Sequence, residues 1–524
     1  MENFKRTVRD VAIAGRAVFL RVAYDLPLDT SKGILDPKRI SDDSRIRDTI
    51  PTIKYILGQK PSKLLIAAGW QGRPDGEDAE MTMAPAALIL KELLNAEGYK
   101  INVTLAPNCL DGSKPRSVYR NKDEVRSELE KLDSSTILVF ENVRYDKEAN
   151  KCDAGFGEFM ASLAGKNALY VNEAEPQNHR PEATVKLVPS LIVKNGGDAV
   201  FGLKYFDVMD KIGSIGTKLR ENQRGNFVFF LAGKKIEVQP GITSKISVAH
   251  ALLDSMKAGD CIVVAGAVTY TFLLAQEYYD VIDINQVEIG ELLKEANERI
   301  SNETKGMDSE SATKKENEIR NELNQKIMSF IGMDQNDISS LIGSSFRRKG
   351  QEAEQAFYAY QVLAKSKEKD VQVITALDHI IANVKMSAGI LPKESEIKVF
   401  DNPTGIPDGW FGVAPGPKTI GLIEALYQNR DGISLQAGPL QIEDSRVEQV
   451  SQANKRLGNI MRKAKASGWI TIAAGGDTAA EVARWHNEDA FSVISNAGGA
   501  TLELLESGTS IGIEAIKEAV KLKA

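Results

Sequence analysis

Short runs of consecutive apolar residues recur along the chain, separated by longer stretches in which apolar positions return every three or four residues. In the first part the runs are Ala17–Ala23, Leu64–Ala68, Ile101–Leu105, Ile137–Phe140 and Leu169–Val171. Between them, Ala86–Asn95 and Lys122–Leu132 have the spacing of amphipathic helices. This alternation predicts βαβ units on a parallel sheet. A polar helical segment, roughly Phe201 to Glu221, follows the Gly196–Gly197 pair and reads as a connector. The pattern then restarts with Phe227–Leu231, Cys261–Val264, Val371–Ile374, Ile433–Leu435, Trp469–Ala474 and Phe491–Ser495. The predicted architecture is two α/β halves joined by a helix.

One segment breaks the rhythm. From about Val281 to Ser340 the chain is rich in charge, with Ser, Asn, Glu and Lys crowded between Ser301 and Lys315. Ile289, Leu292, Leu293, Ala296 and Ile300 fit one helix face, and Ile319, Leu323, Ile327, Phe330 and Ile331 fit another. The pattern predicts a helical hairpin inserted in the second half. It is either a surface insertion packing on itself or a module that binds a protein partner.

Composition narrows the class. A chain of 524 residues is too long for one core, so two or more domains are expected. The formal charge of -6 argues against a nucleic-acid partner. No apolar run approaches a membrane span. The first residues, MENFKRTVRD, hold no signal-peptide core, and Cys109, Cys152 and Cys261 lack metal-ligand spacing. The expectation is a cytoplasmic protein with reduced thiols.

Candidate chemistry clusters where the strands end. Ala232-Gly233-Lys234-Lys235, Ala265-Gly266-Ala267, Gly475-Gly476-Asp477-Thr478 and Asn496-Ala497-Gly498-Gly499-Ala500 each follow an apolar run and open toward a helical pattern. Glycine there lets backbone N–H groups approach an anion at a helix N-terminus. Four such turns in one domain point to a phosphate-rich ligand, although no G-x-x-x-x-G-K-[ST] run occurs. The first half has arginines in equivalent places. Arg21 lies inside its strand, a structural position. Arg45 precedes a helical pattern, Arg73 lies in the turn GWQGRPDG, and Arg144 and Arg180 follow later strands. A guanidinium directs paired donors at phosphate or carboxylate oxygens, so this set suits a small polyanion.

The runs FLRVAYDLPL, SRIRDTIPTIKYIL, GRPDG, FENVRY, VNEA, AGKKI, TYTF, IGSSF, GIPDGWFGVAPGPKT, GGDTA and GGATLELLE occur in the order found in phosphoglycerate kinases. The chain resembles that family over nearly its whole length, apart from the insertion. The resemblance implies two Rossmann-like parallel-sheet domains joined by a hinge helix, closing on their substrates. It divides the chain into a glycerate-substrate domain over 1–198, a connecting helix over 199–221 and a nucleotide domain over 222–504. The insertion occupies about 281–340, and a tail over 505–524 returns to the first domain.

The implied reaction is Mg²⁺-dependent phosphoryl transfer between 1,3-bisphosphoglycerate and ADP, giving 3-phosphoglycerate and ATP. By position in the motifs, Asp25, Arg45, Trp70, Arg73, Arg144 and Arg180 would meet the acid. Arg45 would reach the transferring group beside Lys235, with Gly498 and Gly499 supporting the transfer site. Gly233, Lys235, Lys245, Gly266, Glu443, Gly475, Gly476, Asp477 and Thr478 would meet the nucleotide, with Asp477 the magnesium ligand.

The sequence also departs from the family. Where the family has RVDFNVPL this chain has RVAYDLPL, which puts Ala23 and Asp25 in place of an aspartate and an asparagine. Trp70 stands where the family has a histidine. Ala23 removes an acceptor, Asp25 adds a negative charge near an anionic ligand, and an indole would fill part of the pocket. Alanines replace glycines at Ala232, Ala265, Ala267 and Ala497, and the run KIEVQPGITSK sets Lys245 farther along the chain than its family counterpart. A second function therefore stands beside the kinase: a catalytically impaired relative acting as a scaffold or binding protein.

Overall fold

The computed structural model of the chain describes residues 6–133, 135–233, 245–305, 307, 309–334, 351–383, 395–401, 406–407, 409–428, 431–442 and 447–523. Two compact units are present. One comprises Met1–Thr217 with Asn496–Ala524, the other Lys218–Ser495.

The first unit is built on a six-stranded sheet: β1 (Ala17–Val22), β2 (Lys63–Ala67), β3 (Asn102–Ala106), β4 (Thr136–Phe140), β5 (Leu169–Glu173) and β6 (Asp198–Phe201), in the order β3-β4-β2-β1-β5-β6. All pairings are parallel. Phe19, Leu20, Leu65, Ile66, Leu138, Val139, Tyr170 and Val171 are fully buried, consecutive residues included. A parallel sheet covered on both faces requires such unbroken apolar runs. Arg21 is fully buried in β1, with its Nη2 3.0 Å from Glu182 Oε2 and its Nε donating to Thr184 Oγ1 at 2.6 Å. Its charge is neutralised inside the core.

Two boundaries differ from the sequence expectation. Phe201, expected to start the connecting helix, ends β6, and residues 198–201 belong to the first sheet. The helix is Leu203–Arg220, and Glu173 Oε1 accepts the N–H groups of Lys204 and Tyr205 in its first turn at 2.9 and 3.1 Å. The chain joins the first unit again at Asn496, where the sequence suggested 505. Ser510 Oγ accepts from Asn178 Nδ2 at 2.6 Å, and Lys523 pairs with Asp198 at 2.6 Å.

The second unit holds another parallel six-stranded sheet: β7 (Asn226–Leu231), β8 (Cys261–Val264), β9 (Gln372–Thr375), β13 (Gly432–Ala437), β14 (Ile470–Ala474) and β15 (Val493–Ser495), in the order β15-β14-β13-β7-β8-β9. The sequence reading missed a small antiparallel sheet of β10 (Asp378–Ala382), β11 (Ile397–Asp401) and β12 (Phe411–Pro415), in the order β11-β10-β12. Its strands are short, and β11 buries no residue completely, so the periodic signal is weak.

The insertion is helical over Tyr279–Ile284, Gln286–Glu303 and Ser309–Ile331; its last expected residues, 335–340, lie outside the described residues. Ile289, Leu293, Ala296, Ile300, Ile319, Leu323, Ile327 and Ile331 are buried as the pattern predicts, and Leu292 is half-buried. Phe330 is not on that face: it is 48% exposed. Nor does the hairpin pack only on itself. Arg320 lies 2.6 Å from Glu354 on the helix Glu352–Glu368, and Asn324 Oδ1 accepts from Ala353 N at 2.8 Å. Among the described residues no helix is long and apolar enough to cross a membrane.

Candidate active site

Parallel strands deliver all their C-terminal ends to one edge of a sheet, where open α/β folds keep their ligands. In the first unit the loops after β1, β2, β4 and β5, which are neighbours in the sheet, carry Asp25, Arg73, Arg144 and Arg180. The loop after β2 is tightly specified. Gly69 has φ +75°, and a Cβ there would come within 2.9 Å of Val22 O. The side-chain amide of Gln71 donates to Leu26 O at 2.7 Å and accepts from Leu26 N at 3.1 Å. Asn142 Nδ2 donates to Gln71 O at 2.8 Å. Three loops are thus tied together before any ligand arrives.

Trp70 sits inside this frame, 5% exposed. The guanidinium carbons of Arg144 and Arg180 lie 4.4 and 5.1 Å from its ring centroids. Such cation–π contacts contribute about 0.5–2 kcal/mol each. Arg144 Nη1 donates to Gly72 O at 2.6 Å, and Gly72 N donates to Asp25 Oδ1 at 3.0 Å. Burial pulls Arg144 down to about 10, with the charges of Arg180 and Arg73 acting the same way and Asp25 opposing. Arg180 is lowered by burial and then by Arg73, again with Asp25 opposing. His179 is lowered to about 4, mainly by burial and then by Arg180, so its imidazole is neutral at pH 7. The half-buried Arg45 lies in the helical turn Ser44–Arg47, and its Nη1 donates to the carbonyl of Asp25.

Gly498 and Gly499 belong to this unit, not to the sheet of the second one. The helix Gly499–Ser507 begins beside His179, whose Nε2 a Cβ on Gly499 would approach at 3.4 Å. Nearby, Asn496 Nδ2 donates to Asp48 Oδ2 at 2.6 Å. The expectation of four glycine turns in one domain is corrected accordingly. Chain order cannot show that packing, because the turn follows directly on β15.

In the second unit Gly233, Gly266 and Gly475 follow β7, β8 and β14. Gly266 has φ +67°, and a Cβ on it would lie 3.0 Å from Gly233 N, so this pair needs glycine for close approach. Gly475 precedes the helix Gly476–Arg484, and Asp477 is exposed in its first turn. The Thr478 hydroxyl was expected to meet phosphates. It is buried, donating to Ala474 O and accepting from Gly438 N, both at 2.9 Å. That bond ties the loop after β13 to the loop after β14, and Gly438, with φ 117°, is a further turn that the sequence reading passed over. Lys235 and Glu443 lie outside the described residues, as does the side chain of Lys245, the first residue of the helix Lys245–Leu252.

The family model for phosphoglycerate kinase matches residues 8–339 and 327–508. Among curated relatives, the phosphoglycerate kinase of Pseudothermotoga lettingae is 26% identical over 518 residues, covering 99% of this chain and 100% of the relative. The cytosolic phosphoglycerate kinase of Triticum aestivum is 27% identical over 515 residues, covering 98% of each. Two solved structures share the fold. The Coxiella burnetii phosphoglycerate kinase has a TM-score of 0.59 at 21% identity, covering 98% of both chains. The Pyrococcus horikoshii enzyme has a TM-score of 0.64 at 15% identity, covering 98% of this chain and 99% of the other. With two parallel-sheet units, arginine loops at the strand ends of the first and a family model spanning most of the sequence, the chain belongs to the phosphoglycerate kinase family.

Proposed function

We propose that this protein transfers a phosphoryl group between 1,3-bisphosphoglycerate and ADP, and in reverse between ATP and 3-phosphoglycerate. The observation that carries the proposal is the set of loops at adjacent strand ends bearing Arg73, Arg144 and Arg180, with Arg144 and Arg180 held against Trp70. Cations gathered in a partly buried place repel one another until an anion joins them, and a phosphate monoester supplies two negative charges.

In this reading Arg73, Arg144 and Arg180 hold the phosphate of the acid, and Arg45 and Lys235 meet the transferring group. Backbone N–H groups at Gly233, Gly266, Gly475 and Gly476 meet the nucleotide phosphates, and Glu443 and Lys245 complete the nucleotide side. Gly498 and Gly499 keep their transfer-site role from beside His179. The side chain of Thr478 positions the loop and leaves phosphate contact to backbone.

Asp477 fits a magnesium ion that arrives with a nucleotide. It is an exposed carboxylate, and among the described residues no group of three His, Cys, Asp or Glu side chains is placed to hold an ion alone. Bound there, the ion would neutralise phosphate charge. Phosphoryl transfer otherwise asks the chain for positioning and for donors on the equatorial oxygens. No general base is needed, because the accepting carboxylate is already ionised at pH 7.

A second reading, ligand binding without transfer, draws on the burial of Trp70 among the arginines and on Ala23, which has no acceptor to offer. Calorimetric titration of the full chain tests the assignments. One 3-phosphoglycerate per chain is expected, weakened at least about a hundredfold by Arg73→Ala, because a charged hydrogen bond and a phosphate contact are lost together. Mg-ADP binding is expected to be unchanged by that variant. An acid affinity indifferent to Arg73 would sink the assignment of the patch.

A further inference from the structure

A relay of side-chain amides inside the second unit ends on a donor that the relay does not use. It starts at Arg462, whose guanidinium can only donate. Arg462 Nη2 donates to Asn487 Oδ1 at 3.0 Å, which turns Asn487 Nδ2 toward Asn454 Oδ1 at 2.9 Å. Both amides are thereby oriented. Asn454 is left with its own Nδ2, buried and without a hydrogen-bond partner among the described residues. Gly458, one turn along the same helix Glu448–Ala466, makes room for the relay: a Cβ there would lie 2.4 Å from Asn487 Oδ1.

Asn454 lines a small cavity together with Gln436, Gln441, Glu481 and Asn487. Gln441 brings the complementary group, since its Oε1 is also buried without a partner among the described residues. Asn454 and Gln441 are 5% and 8% exposed. The cavity offers about 30 Å³ to a water molecule, room for one or two. That size excludes an organic ligand, and an ammonium ion has no acceptor for Asn454. Water donates and accepts, so it satisfies both side chains at once, whereas leaving them unmet forfeits their hydration.

The walls of the cavity come from elements assigned above to the nucleotide. Gln441 lies in the loop after β13, where Gly438 N donates to Thr478 Oγ1. Glu481 lies one turn beyond Asp477 in the helix Gly476–Arg484, and its Oε2 accepts from Gln436 Nε2 in β13 at 2.9 Å.

We propose that this cavity is a buried water site, in which water accepts from Asn454 Nδ2 and donates to Gln441 Oε1, and that Asn454 and Gln441 are positioning residues for the nucleotide side. Through the water the loop after β13 is fastened to the helix Glu448–Ala466, and so keeps its place beside the helix that carries Asp477. The positioning role rests on the reading that these loops meet a nucleotide; the water site does not.

Two measurements test it. A crystal structure of the full chain is expected to show a water within hydrogen-bond distance of the Asn454 and Gln441 side-chain amides. A dry cavity, or any other molecule in it, overturns the water site. Calorimetry with Mg-ADP, and separately with 3-phosphoglycerate, then compares Asn454→Leu, Gln441→Leu and the double variant. Each single variant is expected to bind Mg-ADP about fivefold more weakly, the effect of one hydrogen bond. Both lose the same water, so the double variant is expected to be no weaker than either single one. Affinity for 3-phosphoglycerate is expected to be unchanged, which separates positioning from a general loss of structure.

Unchanged Mg-ADP affinity in either variant overturns the positioning role, and so do losses that multiply to about 25-fold in the double variant. An equal loss of acid affinity overturns it as well. Wild-type protein that fails to bind Mg-ADP overturns the nucleotide reading and the positioning role with it, while the crystal structure still decides the water site. Gln441→Leu leaves the relay from Arg462 to Asn454 intact, so poor folding of Asn454→Leu does not shield the inference.

Discussion

Replacing Arg45 with alanine is expected to lower kcat at least about a thousandfold while changing 3-phosphoglycerate affinity by less than about fivefold. An arginine that meets charge developing on a transferring phosphoryl group contributes on that scale. The phosphate of the acid, by contrast, is assigned to Arg73, Arg144 and Arg180. The chain holds Arg45 in place from beneath. Ile46 is fully buried, the Thr49 hydroxyl donates to Ile46 O at 2.7 Å, and Tyr24 Oη lies 2.6 Å from Thr49 Oγ1. Arg45 also spans to the carbonyl of Asp25, which ties its guanidinium to the loop after β1. Lysine at this position keeps the charge and loses the forked donors, so Arg45→Lys is expected to recover only part of the rate. Steady-state kinetics checks both variants. Equal losses in kcat and in acid affinity would move Arg45 from the transferring group to ground-state binding.

Replacing Arg320 with methionine is expected to destabilise the second unit by about 3–5 kcal/mol, the cost of leaving buried charge unpaired. Arg320 is 4% exposed and lies 2.7 Å from Glu316 and 2.6 Å from Glu354, which is fully buried. Without the guanidinium, two carboxylates remain in the seam between the helices Ser309–Ile331 and Glu352–Glu368. Burial holds Glu354 above the usual carboxylate range, and the positive charge of Arg320 is the main influence opposing it. Removing Arg320 raises it further. A carboxyl raised in the folded state adds stability below its unfolded value and loses that contribution as pH rises through the folded value. The deficit of the variant is therefore smaller near pH 5 than near pH 8.

Urea unfolding followed by tryptophan fluorescence in a Trp70→Phe background reports the second unit, since Trp410, Trp469 and Trp485 all lie there. Replacing Glu316, Arg320 and Glu354 together with apolar residues of similar size is expected to recover most of the stability. A deficit below about 1 kcal/mol for Arg320→Met would mean that the seam admits water and that the insertion is only loosely docked.

The parallel sheets were legible because buried parallel strands are unbroken apolar runs, and Leu64–Ala68 or Phe227–Leu231 cannot be read otherwise. Strand direction then carries the loops of Arg73, Arg144 and Arg180 to one edge, so the gathering of these arginines followed from the strands. What lay beyond reach depended on packing. Trp70 meets Arg144 and Arg180 from distant points in the sequence, and no spacing rule links an indole to guanidinium groups two and three loops away. Phe330 has the spacing of its buried neighbours and still faces solvent, because the seam is narrower than the apolar stripe. The strand Asp198–Phe201 went unseen because its apolar run is short and merges with the helix that follows. Thr478 illustrates the same limit: a threonine in a glycine turn suits a phosphate, and only the fold shows its hydroxyl bridging Ala474 and Gly438.

The most direct test of the account is turnover by the purified full chain with ATP, Mg²⁺ and 3-phosphoglycerate, followed as acyl-phosphate formation. The account predicts steady transfer that needs all three components and disappears in Lys235→Ala. A rate no greater than that of the variant, in protein that still binds 3-phosphoglycerate and Mg-ADP, would contradict it and leave a binding protein on a kinase fold.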